Sequence, residues 1–128
     1  MGSKILVVDD SKIVMSLHSY ILENAGYACE GAPNGYAALE RLFTGRFDLV
    51  VTDVNMPRMD GYALIEKIRE QPDLQSLPII VISTEEEARD QQRGFEAGAN
   101  VYIVKPAKPH ELVTNVKMLL GEKADAPA

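Results

Sequence analysis

The sequence has no tryptophan, a single cysteine, and no apolar run approaching the ~18 residues of a membrane-spanning helix. Because Cys29 stands alone, no disulfide can form within the chain, and a reducing cytoplasm is the expected location. The apolar run at residues 5–8 stops at Asp9, well short of a signal-peptide core. We therefore expect a cytoplasmic protein that does not associate with membranes.

Positive charge is also scarce, because 13 Lys and Arg residues face 19 Asp and Glu residues, for a formal net charge of −6. Blocks of Lys and Arg, which supply most non-specific affinity for nucleic acids, do not occur. Direct binding to nucleic acid is therefore not expected. The 128 residues are enough for one domain over 1–128, with a core at about 4–121 and a flexible tail at 122–128.

Short runs rich in β-branched residues alternate with longer stretches of helical periodicity. The short runs are apolar throughout, which is typical of parallel strands buried on both faces. Their alternation with helices predicts an α/β fold, a doubly wound five-stranded parallel sheet with helices on both faces. The predicted strands are residues 5–8, 27–32, 47–52, 79–83 and 101–104.

Helical spacing and capping residues place the intervening helices. Asn34 and Asp60 are predicted to cap the second and third helices. The glutamate run at 85–87 is expected to begin the fourth helix in contact with solvent. His18 and His110 belong to no ligand pair, so surface positions are expected for both. The apolar face of the first helix is predicted to comprise Ile13, Leu17, Ile21 and Leu22.

Polar residues stand at the carboxyl ends of four predicted strands. In open parallel sheets, ligands bind beyond these ends, so the side chains are expected to face one crevice. They are Asp9 and Asp10 after the first strand, Asp53 after the third, Ser83 and Thr84 at the end of the fourth, and Lys105 after the fifth.

Three carboxylates in one crevice repel each other strongly unless some remain protonated or a cation neutralises them. Carboxylate and carbonyl oxygens suit Mg²⁺, whereas no thiolate or histidine cluster is present to suit Zn²⁺. Lys105 and the Ser83 hydroxyl would stabilise a phosphoryl group beside the ion. An ionised Asp53 can accept that group as a nucleophile without a general base.

The same residues also have simpler explanations. Helix capping accounts for Asp9 and Asp10 when they are taken alone. Thr84 can make the local hydrogen bond in place of Ser83, and Tyr102 can be a packing residue only. The coincidence of acidic groups and a lysine at neighbouring strand ends favours the phosphoryl site.

Five motifs in order make the sequence similar to the receiver domains of two-component response regulators, and the resemblance runs from Lys4 to about Leu120. It implies a CheY-like, flavodoxin-like strand order of 2-1-3-4-5. The motifs are Val7-Val8-Asp9-Asp10-Ser11, Asp53-Val54-Asn55-Met56-Pro57-Arg58-Met59-Asp60-Gly61, Ile82-Ser83-Thr84, Gly98-Ala99 and Val104-Lys105-Pro106.

The resemblance implies that Asp53 is the phosphoacceptor. Mg²⁺ would be held by Asp10, Asp53 and the backbone carbonyl of Asn55, while Asp9 would help directly or through a water molecule. Lys105 would contact the phosphoryl oxygens, and the peptide bond between Lys105 and Pro106 would be cis.

The resemblance also implies a conformational switch. Ser83 would move to hydrogen-bond the phosphoryl group, and Tyr102 would swing into the vacated space. Asn55 and Glu85 would modulate the lifetime of the phosphorylated form, as in the chemotaxis branch of the family. The expected phosphoryl donor is a histidine kinase or phosphotransfer protein. An unidentified output protein would bind residues 88–98 and 101–120 of a monomer, with no turnover of an external substrate.

Other functions fit the residues less well. A dehalogenase-like phosphatase needs a second Asp where Asn55 stands, and Asp9-Asp10 would repel a flavin phosphate. A P-loop nucleotidase lacks its glycine-rich loop. A receiver-like docking module that is not phosphorylated, and a fragment of a larger hybrid kinase or regulator, remain alternatives.

Overall fold

A computed structural model describes residues 2–85 and 88–122. It contains one parallel sheet of five strands in the order β2-β1-β3-β4-β5, so the predicted fold class and strand order are confirmed. The strands are β1 (Lys4–Val8), β2 (Ala28–Ala32), β3 (Leu49–Thr52), β4 (Ile79–Ser83) and β5 (Val101–Val104). The helices are α1 (Lys12–Asn24), α2 (Gly35–Thr44), α3 (Gly61–Arg69), α4 (Ala88–Ala97) and α5 (Pro109–Leu119), with a 3₁₀ turn at Pro72–Leu74.

The central strands are buried on both faces because helices cover each side of the sheet. Ile5 and Val7 face a core shared with α1 and α5, whereas Leu6 and Val8 face one shared with α2 and α3. This two-sided burial is why the strands read as continuous apolar runs. The proposed tail at 122–128 lies outside the described residues, apart from Glu122. In the described part of the chain, no helix is long and apolar enough to cross a bilayer.

Short polar side chains cap the first three helices. Asn34 accepts a hydrogen bond from the Ala37 amide at 2.8 Å, and Asp60 accepts one from the Ala63 amide at 2.8 Å, so both predicted caps are present. Ser11 caps α1 by accepting from Val14. Ser11 is therefore the N-cap of α1, while Asp9 accepts a hydrogen bond from the Ser11 amide.

The prediction that four apolar residues form the buried face of α1 is wrong for the first two of them. Ile13 is 82% exposed and Leu17 is 53% exposed, whereas His18 is only 4% exposed. His18 precedes Ile21 and Leu22 by three and four residues, and that spacing places all three on the face turned to the sheet. The expected surface position of His18 is therefore also wrong, because its place on the helix outweighs its polarity.

Candidate functional site

The register of the sheet brings the carboxyl ends of β1 and β3, which are followed by polar residues, to the same height in the sheet. Val8 lies opposite Thr52 in the β1–β3 pair, so Asp9 and Asp53 follow at equivalent positions of neighbouring strands. The Asp53 amide still donates to the Val8 carbonyl at 3.0 Å. Because parallel strands share a direction, the two carboxylates leave the sheet side by side. Both are buried, with exposed fractions of 2% for Asp9 and 7% for Asp53.

Asp10 completes an acidic group at this edge. One carboxylate oxygen from each of Asp9, Asp10 and Asp53 lies within 4.8 Å of the others. Oxygens on opposite sides of an octahedral Mg²⁺ are separated by roughly 4.2 Å, so small movements bring all three to one ion. Asp10 is exposed and leaves the group open to solvent. The donor set therefore fits a hard divalent cation that keeps several waters.

Lys105 supplies the positive charge of the crevice. Its Nζ lies 3.2 Å from Oδ2 of Asp53 and 3.3 Å from Oδ2 of Asp9. The lysine precedes a cis peptide bond to Pro106, as the resemblance implies. The other oxygens are also engaged, since Asp9 accepts from the Ser11 amide at 2.9 Å and Asp53 accepts from the Val54 amide at 2.7 Å. These contacts fix both carboxylates in orientation.

Ser83 lies at the carboxyl end of β4 and is fully buried, whereas Thr84 is exposed. The Ser83 Oγ accepts a hydrogen bond from the Glu85 amide at 3.1 Å. Since the hydroxyl acts here as an acceptor, its own proton is available to a further acceptor. Ser83, rather than Thr84, is therefore the hydroxyl at the interior of this strand end.

Tyr102 is half-buried on β5 and packs against the core on the α2 and α3 side of the sheet. Its hydroxyl donates to the backbone carbonyl of Glu85 at 2.8 Å. The tyrosine thus already contacts the β4–α4 loop, and its movement on phosphorylation stays a prediction. Asn55 lies on the exposed part of the loop that follows Asp53, and its predicted roles also stay predictions.

Glu85 does not begin the fourth helix as expected. It precedes α4, and its carboxylate accepts a hydrogen bond from the Tyr62 hydroxyl at 2.9 Å instead of facing only solvent. Residues 86 and 87 of the same run lie outside the described residues. Sequence reasoning missed Tyr62, although its distance of three residues from the buried Ile65 would have placed it on the inner face of α3.

His18 stands on α1 beside the crevice and was also missed. It lines an apolar cavity of about 320 Å³ together with Leu17, Lys105 and Ala107. Burial, and then the positive charge of Lys105, lowers the pKa of His18 below its ordinary value of 6.5, although Asp9 and Asp53 act in the opposite direction. The imidazole is therefore a neutral group near neutral pH.

Residues 5–117 match the family described as the response regulator receiver domain. The chain is 38% identical over 120 residues to the alkaline phosphatase synthesis transcriptional regulatory protein PhoP of Bacillus subtilis, covering 94% of this chain and 49% of that protein. It therefore spans about half the length of the curated relatives it matches first.

Solved structures agree with this match. The chemotaxis protein CheY4 of Vibrio cholerae is 34% identical, with a TM-score of 0.88 over 93% of this chain and 99% of that chain. The receiver domain of the sensor histidine kinase PA1611 from Pseudomonas aeruginosa PAO1 is 28% identical, with a TM-score of 0.88 over 95% of this chain and 100% of its own. That structure has a magnesium ion coordinated in its active-site cleft.

Proposed function

This chain belongs to the family of response regulator receiver domains, and from that membership we propose that it is a phosphorylation-dependent signalling switch. Asp53 accepts a phosphoryl group from a histidine kinase or phosphotransfer protein, with Mg²⁺ as the cofactor. Phosphorylation changes the surface formed by α4, β5 and α5, which binds an output protein. The observation that carries the proposal is the pairing of Lys105 with two buried carboxylates beside an exposed third.

The contacts of Asp53 suit it to act as the nucleophile. Its carboxylate is held in a fixed orientation by Lys105 and by the Val54 amide. An oxygen of the anion forms a bond to phosphorus while the bond from phosphorus to the donor's imidazole nitrogen breaks. The leaving nitrogen keeps the electron pair and is protonated from solvent. No side chain is needed as a general base.

Charge in the crevice is arranged for the incoming group. Lys105 lies close enough to Asp53 to contact an oxygen of a phosphoryl group bound there. Asp9, Asp10, Asp53 and the Asn55 carbonyl are the proposed ligands of Mg²⁺, which would neutralise charge on the transferring oxygens. Ser83 has a proton to donate to the phosphoryl group, and the proposed movement of its side chain towards that group would break its contact with the Glu85 amide.

The donor is proposed to be a protein because an apolar surface adjoins the crevice. Ile13 and Leu17 are exposed on α1, and Leu17 lines the cavity beside Lys105. Exposed apolar residues next to a reactive group are typical of protein contacts. The receiver acts on no external substrate in this proposal, and Asn55 and Glu85 are proposed to set a short lifetime for the phosphorylated form.

The experiment uses the purified chain with Mg²⁺ and acetyl phosphate, followed by intact-mass spectrometry. We expect the wild-type protein to gain one phosphoryl group and Asp53→Asn to gain none, because the variant lacks the nucleophile. Asp48→Asn is the matched control, since Asp48 lies just before the opposite end of the same strand and contacts the Lys4 amide. An unmodified wild-type protein that still binds Mg²⁺ would favour the docking module instead.

A further inference from the structure

Glu85 lies in the loop between β4 and α4 and makes hydrogen bonds to three different residues. Its amide donates to the Ser83 hydroxyl at 3.1 Å, and its carbonyl accepts from the Tyr102 hydroxyl at 2.8 Å. Its carboxylate accepts from the Tyr62 hydroxyl at 2.9 Å. The first two contacts involve the two proposed switch residues, whereas the third reaches a residue of α3 that has no place in the proposed switch. Of the three Glu85 groups that make these contacts, the carboxylate bound by Tyr62 is the only charged one.

The position of Tyr62 is closely defined by its neighbours. Its side chain is 3% exposed, and the Arg93 guanidinium carbon lies 4.3 Å from the centre of its ring. A Cβ added at Gly94 would lie 3.7 Å from the Tyr62 ring and 3.0 Å from the Tyr102 ring, so α4 approaches both tyrosines closely. Burial, and then hydrogen bonds with Tyr102 and Glu85, raises the pKa of Tyr62. The phenol therefore keeps its proton and remains a donor.

Besides the Tyr102 hydroxyl, the proton of this phenol has two acceptors within reach. The Glu85 carboxylate lies at 2.9 Å and the Asp90 carbonyl at 3.2 Å. The bond to the carboxylate is shorter and charge-assisted, so it is preferred. If the carboxylate moves away, the hydroxyl can donate to Asp90 and no buried donor is left without a partner. The contact with Glu85 is therefore the preferred one, and the hydroxyl keeps a partner when that contact is absent.

We propose that Tyr62 is a positioning residue for phosphoryl transfer, whose hydroxyl holds the Glu85 carboxylate beside α4 and away from the crevice. This inference rests on the proposed function. Among the described residues, the acidic group contains only Asp9, Asp10 and Asp53, so the Glu85 carboxylate is kept apart from it. A fourth anion at the entrance would repel an anionic phosphoryl donor, and the tether prevents this.

The test measures the rate of phosphorylation of the full chain by acetyl phosphate and Mg²⁺ in the wild type, Tyr62→Phe, Glu85→Gln and the double variant. Phe keeps the ring under Arg93 and removes only the hydroxyl, while Gln removes only the charge of Glu85. We expect Tyr62→Phe to slow phosphorylation about threefold at low ionic strength, since the freed carboxylate repels the donor through partly screened water. The loss should shrink as salt is added.

Two comparisons separate positioning from a merely structural role. In the E85Q background, Tyr62→Phe should leave the rate unchanged, because the released group is then neutral. Tyr36→Phe removes a hydroxyl from an exposed tyrosine of α2 and should match the wild type at every salt concentration. A fall in rate that is equal in both Glu85 backgrounds, or insensitive to salt, would overturn the assignment.

The remaining outcomes distinguish this inference from the proposed function. A wild type that is phosphorylated while Tyr62→Phe shows the same rate contradicts the inference alone. A wild type that is not phosphorylated contradicts the proposed function, and the positioning role is lost with it.

Discussion

Single side chains in the crevice act through burial as much as through charge. Asp9 and Asp53 are removed from water and depend on Lys105 and backbone amides for compensation. Their place at strand ends made these three residues predictable from the sequence, because the end of an apolar run is visible in the sequence itself. The contact of Tyr62 with Glu85 joins residues 23 positions apart and could not be predicted in this way.

His18 provides a prediction at this scale. The unfolded state takes up a proton below the ordinary pKa of 6.5, whereas the folded state, with its lowered pKa, resists protonation. The unfolded state thus binds more protons, and stability falls as the pH falls from 6.5 towards the lower pKa of the folded protein. Urea unfolding at about pH 7.5 and about pH 5.5 should show a smaller loss of stability for His18→Gln than for the wild type.

The exposed His110 on α5 supplies the matched control. His110→Gln should keep the full loss of stability of the wild type on acidification. Equal losses in His18→Gln and the wild type would show that His18 does not couple folding to pH.

The start of α3 packs very closely against the backbone of the loop that carries Asp53. A Cβ at Gly61 would collide with the Asp53 carbonyl oxygen and would lie 2.8 Å from the Val54 Cα. Both are backbone atoms, which cannot move away by rotation of a side chain. The absence of a side chain at Gly61 therefore lets α3 begin directly against the loop that carries Asp53.

Gly61→Ala should lower the free energy of unfolding by about 1–3 kcal/mol, because overpacking forces the backbone to move. It should also reduce phosphorylation of Asp53, whose backbone would be displaced. Denaturant unfolding and intact-mass spectrometry measure the two effects. Gly45→Ala is the control, since its nearest contact would be an ordinary 3.4 Å and it should unfold close to the wild type. A Gly61→Ala protein as stable as this control would contradict the argument.

Element boundaries were predictable where local chemistry sets them. Asn34 and Asp60 cap their helices through their own side chains, and these caps follow from the sequence. The buried face of α1 was misjudged because two apolar stripes share that helix, and only one meets the sheet. The order of the strands came from the family resemblance, since alternation alone fixes parallel pairing and leaves the order open.

The molecule as a whole carries a net charge of −6 and gathers three carboxylates at one edge. Mg²⁺ should raise the melting temperature of the wild type, and an ion at about 100 times its Kd adds about 2.7 kcal/mol. Asp10→Asn should raise the melting temperature without Mg²⁺, because it relieves repulsion, and should weaken the response to the ion. Thermal unfolding with and without Mg²⁺ measures both effects.

Asp73→Asn removes an exposed carboxylate from the 3₁₀ turn, remote from the crevice, and should keep the wild-type response to Mg²⁺. If melting of the wild type is the same with and without Mg²⁺, the proposed metal site is wrong.

β5 is an edge strand, and this determines how many hydrogen-bond ladders a shift of the strand would disturb. The strand is joined to the sheet by one ladder of hydrogen bonds, to β4, whereas β1, β3 and β4 are each joined by two. A sideways displacement of β5 therefore disturbs half as many ladders as the same displacement of an inner strand. Tyr102 therefore stands on an edge strand, where a shift of the backbone disturbs hydrogen bonds to one neighbouring strand only.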